Sequence, residues 1–153
     1  MGEKVEALWA SGLDRITISL DTLKPTIYRQ LNGRDDLIQV EKSIRQALKF
    51  YPHGLKINAV IIRGINDSEI ATLLKYAQSI NAEIRFIEYM DVGTLNGWSL
   101  GEVVFSKSVL DLISARWPLK PLERNYSGEV AKRYAFEDGK GEIGFISSVS
   151  EPF

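Results

Sequence analysis

Three apolar segments carry polar residues at alternating positions, and these are where chemistry could reside. In LKINAVII, Lys56 and Asn58 share one face with Val60 and Ile62, while Leu55, Ile57, Ala59 and Ile61 share the other. In RITISLD, Arg15, Thr17, Ser19 and Asp21 alternate with Ile16, Ile18 and Leu20. In EIRFIEYM, Arg85 lies on one face and Glu88 and Met90 on the other. A parallel strand covered on both sides reads as a continuous apolar run. A lysine and an asparagine in series therefore point to a face turned toward a polar ligand cavity, as inside a barrel. A mid-strand lysine amine suits Schiff-base formation, with Asp21 or Glu88 handling protons. The other reading of Arg15 and Lys56 is that they reach solvent at the bottom rim, since both lie near strand starts. The pattern leaves both readings open.

Other chemistries are excluded or weakened by what the chain contains. It has no cysteine and one histidine, so disulfides, a thiol nucleophile and a thiolate-held metal cluster are ruled out within it. His53 sits between Pro52 and Gly54 with no recognisable partner, which reads as a solvated loop residue rather than a general base. Gly139-Lys140-Gly141-Glu142-Ile143-Gly144 matches the glycine pattern of a dinucleotide fingerprint. That motif needs a helix after it to face the pyrophosphate; the strand-like FISSVS comes next instead, and a hairpin turn explains the glycines. Trp98 in NGWSL reads as a loop anchor, and Met90 taken alone as core filler.

The elements that would position these residues can be read from periodicity. Glu3 to Ser11 is apolar at helical spacing and stops at Gly12. The RITISLD strand is next, then a short helix from Pro25 to Leu31 ended by Asn32-Gly33. A helix over Ile38 to Phe50 precedes the second strand, Leu55 to Ile62. Asp67 and Ser68 offer N-caps to a helix over Glu69 to Ile80, and Glu83 to Met90 is the third strand. Helix and strand alternating in this way predict parallel βαβ units with right-handed crossovers. Beyond a DVGTLNGWSL loop, Ser106 caps a helix through Trp117, and Pro118 and Pro121 break regular structure after it. Lys132 to Phe136 and Glu142 to Ser147 flank Asp138-Gly139-Lys140-Gly141 as a β-hairpin. The fold class is α/β: a partial (β/α)6-type barrel fragment with three parallel strands and flanking helices, plus a C-terminal helix and hairpin.

The 153 residues suit one core, and 19 basic against 20 acidic side chains leave a net charge of -1. That balance offers no footprint for nucleic acid or an anionic membrane. No run of eighteen apolar residues could span a bilayer, and the start resembles neither a signal nor a transit peptide. A cytoplasmic location is expected, with the Asn66-Asp67-Ser68 and Asn125-Tyr126-Ser127 sequons idle.

GLDRITISLDTL, Asn32-Gly33-Arg34, LKINAVIIRGIND, EIRFIEYMDVG, NGWSL and GEIGFISSVSEPF together resemble the middle of the GTP 3′,8-cyclase family, radical S-adenosylmethionine enzymes of molybdenum cofactor biosynthesis. The resemblance runs from Val5 to Phe153. It implies an incomplete (β/α)6 barrel with a 4Fe-4S cluster at each end of its cavity. One cluster binds S-adenosylmethionine and generates the radical that takes the C3′ hydrogen of GTP; the second helps hold GTP. The product feeds cyclic pyranopterin formation by a partner enzyme. By the same resemblance, Ser19 in ISLD and Met90 in EYMD look like the S-adenosylmethionine contacts, and Lys56 in LKIN looks like a GTP contact. Arg85 and Asn58 lie in equally family-like stretches. This resemblance favours the cavity reading of the first two strands over the rim reading.

The family's upstream C-x-x-x-C-x-x-C loop is absent, and the chain stops at Ser150-Glu151-Pro152-Phe153, where the family continues into the cysteines and arginines of the second site. Neither cluster can form here, so the chain alone is expected to be inactive, with the missing segments as partners. Residues 1–100 read as barrel segment and 101–153 as the start of the family's C-terminal region. Two other functions compete: a Schiff-base lyase using Lys56, and a non-catalytic association module. The latter rests on open sheet edges and apolar faces, which predict self-association, including a homodimer.

Overall fold

A computed structural model describes residues 2–91, 97–124 and 128–151, the side chains of Gly2 and Glu3 excepted. In chain order the elements are helix α1 (Gly2–Ala10), strand β1 (Ile16–Ser19), helices α2 (Pro25–Asn32) and α3 (Leu37–Phe50), and strand β2 (Leu55–Ile61). Helix α4 (Ile70–Ser79), strand β3 (Glu83–Glu88) and helix α5 (Ser106–Ser114) come next, then strands β4 (Leu119–Pro121), β5 (Lys132–Phe136) and β6 (Glu142–Ile146). The six strands form one mixed sheet in the order β1-β2-β3-β6-β5-β4. β1, β2, β3 and β6 run parallel; β5 is antiparallel to both β6 and β4.

The alternation read in the sequence sorts the sheet into two faces. On one, Ile57, Ala59 and Ile61 of β2, Ile84 and Phe86 of β3, and Ile143 and Phe145 of β6 are buried. They join Ile44 and Ala47 of α3, Leu73, Leu74 and Ala77 of α4, and Val109 and Ile113 of α5 in a single core. Each such side chain contributes roughly 1.5–3 kcal/mol by leaving water, so this face decides which way every strand turns. A register slip of one residue would bury Lys56, Asn58 and Arg85 in their place.

Two expectations need correction. The hairpin is not an appendage: β6 joins β3 in parallel, pairing Ile84 with Ile143 and Phe86 with Phe145, so four strands, not three, are parallel. Its alternate residues Ile143 and Phe145 extend the apolar row of β3, and burying them requires that edge. The stretch between the two prolines is also not irregular: Leu119–Pro121 pairs with β5 as β4, which ends at Pro121, opposite Tyr134. An edge strand tolerates a residue that cannot donate to the ladder.

Two caps also differ from expectation. Residues 67–69 form a 3-10 turn ahead of α4, with no side-chain cap. Ser106 is the first residue of α5, and its hydroxyl makes no hydrogen bond; its backbone N–H donates to Glu88 at 2.7 Å instead. Among the described residues no helix is long and apolar enough to cross a membrane. The Asn66 amide is fully buried and hydrogen-bonded, leaving nothing for a glycan to occupy. The second sequon, residues 125–127, and half of the predicted loop, residues 92–96, lie outside the described residues.

Candidate functional site

The second face of the sheet carries the polar residues in rows set by register. Thr17, Lys56 and Glu83 align across β1, β2 and β3. One step toward the carboxyl ends, Ser19, Asn58, Arg85, Gly144 and Arg133 align across five strands. The next step is apolar, with Val60 beside Ile87 and Ile87 beside Ile146. Ser19 and Thr17 are exposed; Lys56, Asn58, Glu83 and Arg85 are half-buried.

Charge on this face is organised around one carboxylate. Glu83 receives Lys56 Nζ on one oxygen and Arg85 Nε on the other, both at 2.7 Å. Burial pushes the Glu83 carboxyl up, but the hydrogen bonds and charges of Lys56 and Arg85 outweigh it and hold it below the usual glutamate range. The chain of charges continues from Arg85 through buried Glu129 (3.9 Å) to Arg133 (3.8 Å), and from Arg133 to Glu142 (2.5 Å). Three cations and three carboxylates thus balance. No sequence pattern marks Glu83 as the organiser, because a glutamate opening a strand is an ordinary surface residue. Beside Ser19, the side-chain oxygen of Asn58 is buried and accepts no hydrogen bond, although such a group ordinarily has a donor.

The carboxyl ends of the strands are tied by buried polar groups. Asn66 donates to the carbonyls of Asp21 (2.7 Å) and Val60 (2.8 Å) and accepts from the Ile62 N–H (2.8 Å). Asp21 accepts the Val60 N–H at 2.8 Å, finishing the β1–β2 ladder with a side chain. Burial holds the Asp21 carboxyl above its ordinary value despite that bond. Beside these groups lies a mostly apolar cavity of about 330 Å³, lined by Asp21, Leu31, Val60, Ile62, Ile87, Glu88, Tyr89 and Met90. Met90 is 40% exposed, so it is not core filler. Trp98 anchors its loop by donating from Nε1 to the Tyr89 carbonyl at 3.0 Å.

The expected site residues are therefore not all in one place. Ser19 and Lys56 share the polar face on neighbouring rows, while Met90 stands past the end of β3. Four residues of strand, roughly 13 Å, separate the level of Lys56 from that of Val60 in the cavity wall. Lys56 also borders a second cavity, of about 210 Å³, at the amino-terminal rim with His53, Asn81 and Glu83. His53 there is exposed, with Nδ1 3.4 Å from the Asn81 amide. Arg15 is exposed, as the rim reading has it.

Glu88 is buried on the helix-covered face, away from Lys56. Its carboxylate accepts hydrogen bonds from the N–H groups of Ser106, Val149 and Ser150 and from the Ser150 hydroxyl, at 2.6–2.9 Å. Burial alone would push its carboxyl up; these four bonds hold it below the usual range. A carboxylate so engaged has no proton to exchange with Lys56, whose own ammonium is committed to Glu83. The Schiff-base reading loses both of those parts. No group of three or more His, Cys, Asp or Glu that could hold a metal occurs among the described residues. With no cysteine in the sequence, an iron–sulfur cluster does not fit the side chains of this chain.

Comparison with known proteins agrees with the resemblance read from the motifs. The model of the Radical SAM superfamily matches residues 1–77, and that of Molybdenum Cofactor Synthesis C matches residues 82–153. A GTP 3′,8-cyclase of Xanthomonas campestris pv. campestris (strain B100) is 46% identical over 154 residues, covering 100% of this chain and 45% of the relative. Those of Acidothermus cellulolyticus and Staphylococcus epidermidis are 42% and 36% identical, over 94% and 95% of this chain and 40% and 43% of their own lengths. The chain spans a little under half the length of the curated relatives it matches.

Proposed function

Because this chain belongs to the Radical SAM superfamily, we propose that its polar sheet face is one wall of the cavity of a GTP 3′,8-cyclase. Lys56 meets GTP, as a point charge on phosphate or a donor to a purine acceptor. Ser19, with the unsatisfied oxygen of Asn58 beside it, suits the amino-acid end of S-adenosylmethionine, and Met90 borders the cavity where the rest of that cofactor would lie. When bound in a complete enzyme, S-adenosylmethionine supplies the radical chemistry that starts cyclisation. The residues of this chain orient and neutralise its ligands.

The observation that carries this reading is the polar row itself. A lysine, an asparagine and an arginine stand where a parallel strand is ordinarily apolar. Although the two cations are paired with carboxylates of the same face, the Asn58 oxygen is left without a donor, which supports a polar ligand there. The cluster thiolates must come from sequence outside this chain, in segments that complete the barrel along the free edge of β1. The division near residue 100 into barrel segment and C-terminal region belongs to the same proposal.

Reconstitution tests it. The chain is mixed anaerobically with the complementary segments of the Xanthomonas campestris relative, iron, sulfide, S-adenosylmethionine and GTP. Cluster absorbance and GTP consumption should appear, and Lys56→Ala should remove the consumption while leaving the absorbance. Full turnover by Lys56→Ala, or no recovery across a range of conditions, would count against the proposal.

A further inference from the structure

We infer that Glu83 and Gly144 are positioning residues that hold Lys56 and Arg85 as a paired clamp for the polyphosphate of a nucleotide. This rests on the reading above that Lys56 meets GTP. Two independent features of the structure carry it.

The first is the bridge. Lys56 and Arg85 stand on adjacent strands, on neighbouring rows of the same face. Two cations so placed repel each other, and on long side chains they would swing apart toward water. Glu83 joins them, with Lys56 Nζ on Oε2 and Arg85 Nε on Oε1, both at 2.7 Å. One carboxylate thereby fixes the separation of two ammonium-type groups and removes rotamer freedom that ligand binding would otherwise have to freeze. Donor capacity is left over. A lysine has three N–H donors and an arginine five. Glu83 takes one from each, and Glu129 lies 3.9 Å from Arg85 Nη2.

The second is the space. A glycine inside a strand weakens it, and often marks a close approach by another group. Gly144 occupies the polar row between two arginines, opposite Arg85 on one side and Arg133 on the other. A methyl group there would lie 3.0 Å from Arg85 Cγ and 3.7 Å from Glu83 Oε1. The nearer atom is in the stem of the arginine, so relief requires that stem to give by a few tenths of an ångström, and the shift falls on the side chain whose Nε meets Glu83 at 2.7 Å. The last glycine of the apparent dinucleotide motif thus has a use on this face, with its backbone in ordinary extended conformation. The ligand class is set by the donors: two neighbouring cations with spare N–H groups suit adjacent phosphates, in point-charge and fork geometry respectively.

The test has a ligand-free and a ligand-bound arm, both on the intact chain. In the free protein, the Arg85 Nε–H resonance should be resolved and slow to exchange with solvent. Glu83→Gln and Gly144→Ala should each collapse it into the exposed-arginine envelope, while Glu83→Asp should retain part of its protection. In titrations with GTP, Glu83→Gln and Gly144→Ala should each bind about tenfold more weakly, the effect of one charge-assisted hydrogen bond. Thermal unfolding run in parallel identifies a variant that fails to fold; Glu83→Gln, with no added volume, then decides. Parent-like Arg85 exchange in Glu83→Gln, or unchanged GTP affinity in a parent that binds it, would overturn the inference. A parent that binds no GTP, yet shows the expected Arg85 behaviour, would instead overturn the assignment of Lys56 to that nucleotide and with it the clamp's ligand.

Discussion

Replacing Glu88 with glutamine should destabilise the fold by about 3 kcal/mol, and the reason lies in where the new amide nitrogen must go. Oε1 of Glu88 accepts from the Ser106 N–H and the Ser150 hydroxyl; Oε2 accepts from the Val149 and Ser150 N–H groups. An amide NH2 in place of Oε2 would face two backbone donors, neither able to reverse. In place of Oε1 it would face one backbone donor and one hydroxyl, and the hydroxyl can rotate to accept. The second orientation wins, leaving the Ser106 N–H without an acceptor at about 1–3 kcal/mol. The bonds from Val149 and Ser150 also lose their charge assistance, about 1 kcal/mol each. Relief from burying a charge offsets part of this, giving the net figure. For a chain of this length the melting temperature should fall by about 6–12 °C. Urea unfolding should show a lower midpoint at unchanged slope, because the same surface is exposed. Amide exchange at Ser106, Val149 and Ser150 should quicken more than at Ile57 or Phe86. A glutamine variant within about 0.5 kcal/mol of the parent, with those three amides still protected, would refute the claim that this carboxylate staples α5 and the segment after β6 to β3.

Three further outcomes are expected from the same set of side chains. Asn66→Ala should cost about 2–4 kcal/mol in urea unfolding, since it strips partners from three backbone groups at the ends of β1 and β2. Glu83 and Glu88 both titrate below their ordinary value in the folded chain. Their stabilisation is fully present above the unfolded value of about 4.5 and is lost as pH falls through the folded values. Acid unfolding should therefore set in below that point, and removing either carboxylate should flatten the profile there. Asp21 is shifted the other way, so its ionised form opposes folding at neutral pH. Asp21→Asn keeps an acceptor for the Val60 N–H and should raise the neutral-pH melting temperature, with the gain vanishing in acid.

The strand alternation is legible because it has a single cause: the apolar partner of every second residue is buried under helices. That is why parity places Lys56 with Asn58 and sets Arg85 opposite Glu88, while the register of β2 with β3 is what brings Arg85 to the Lys56 face. Boundaries drift where a side chain, rather than the backbone ladder, closes an element. Asp21 ends β1 by bonding Val60, and Glu88 caps α5 in place of Ser106; both contacts are remote in sequence and leave no local signature. β6 reads as half of a hairpin because its turn is local, whereas its pairing with β3 spans more than fifty residues. Glu83 is hidden for the same reason. Its importance comes from two cations, one of them 27 positions earlier, and no spacing rule links them.

The central claim is that the polar sheet face receives a nucleotide, and mapping GTP onto the chain by amide and side-chain chemical shifts tests it most directly. Up to about 1 mM GTP, an affinity of only about 4 kcal/mol, shifts should concentrate at Thr17, Ser19, Lys56, Asn58 and Arg85, and Lys56→Ala should suppress them. Shifts confined to α3, α4 and α5, or shifts on the polar face that persist undiminished in Lys56→Ala, would contradict it.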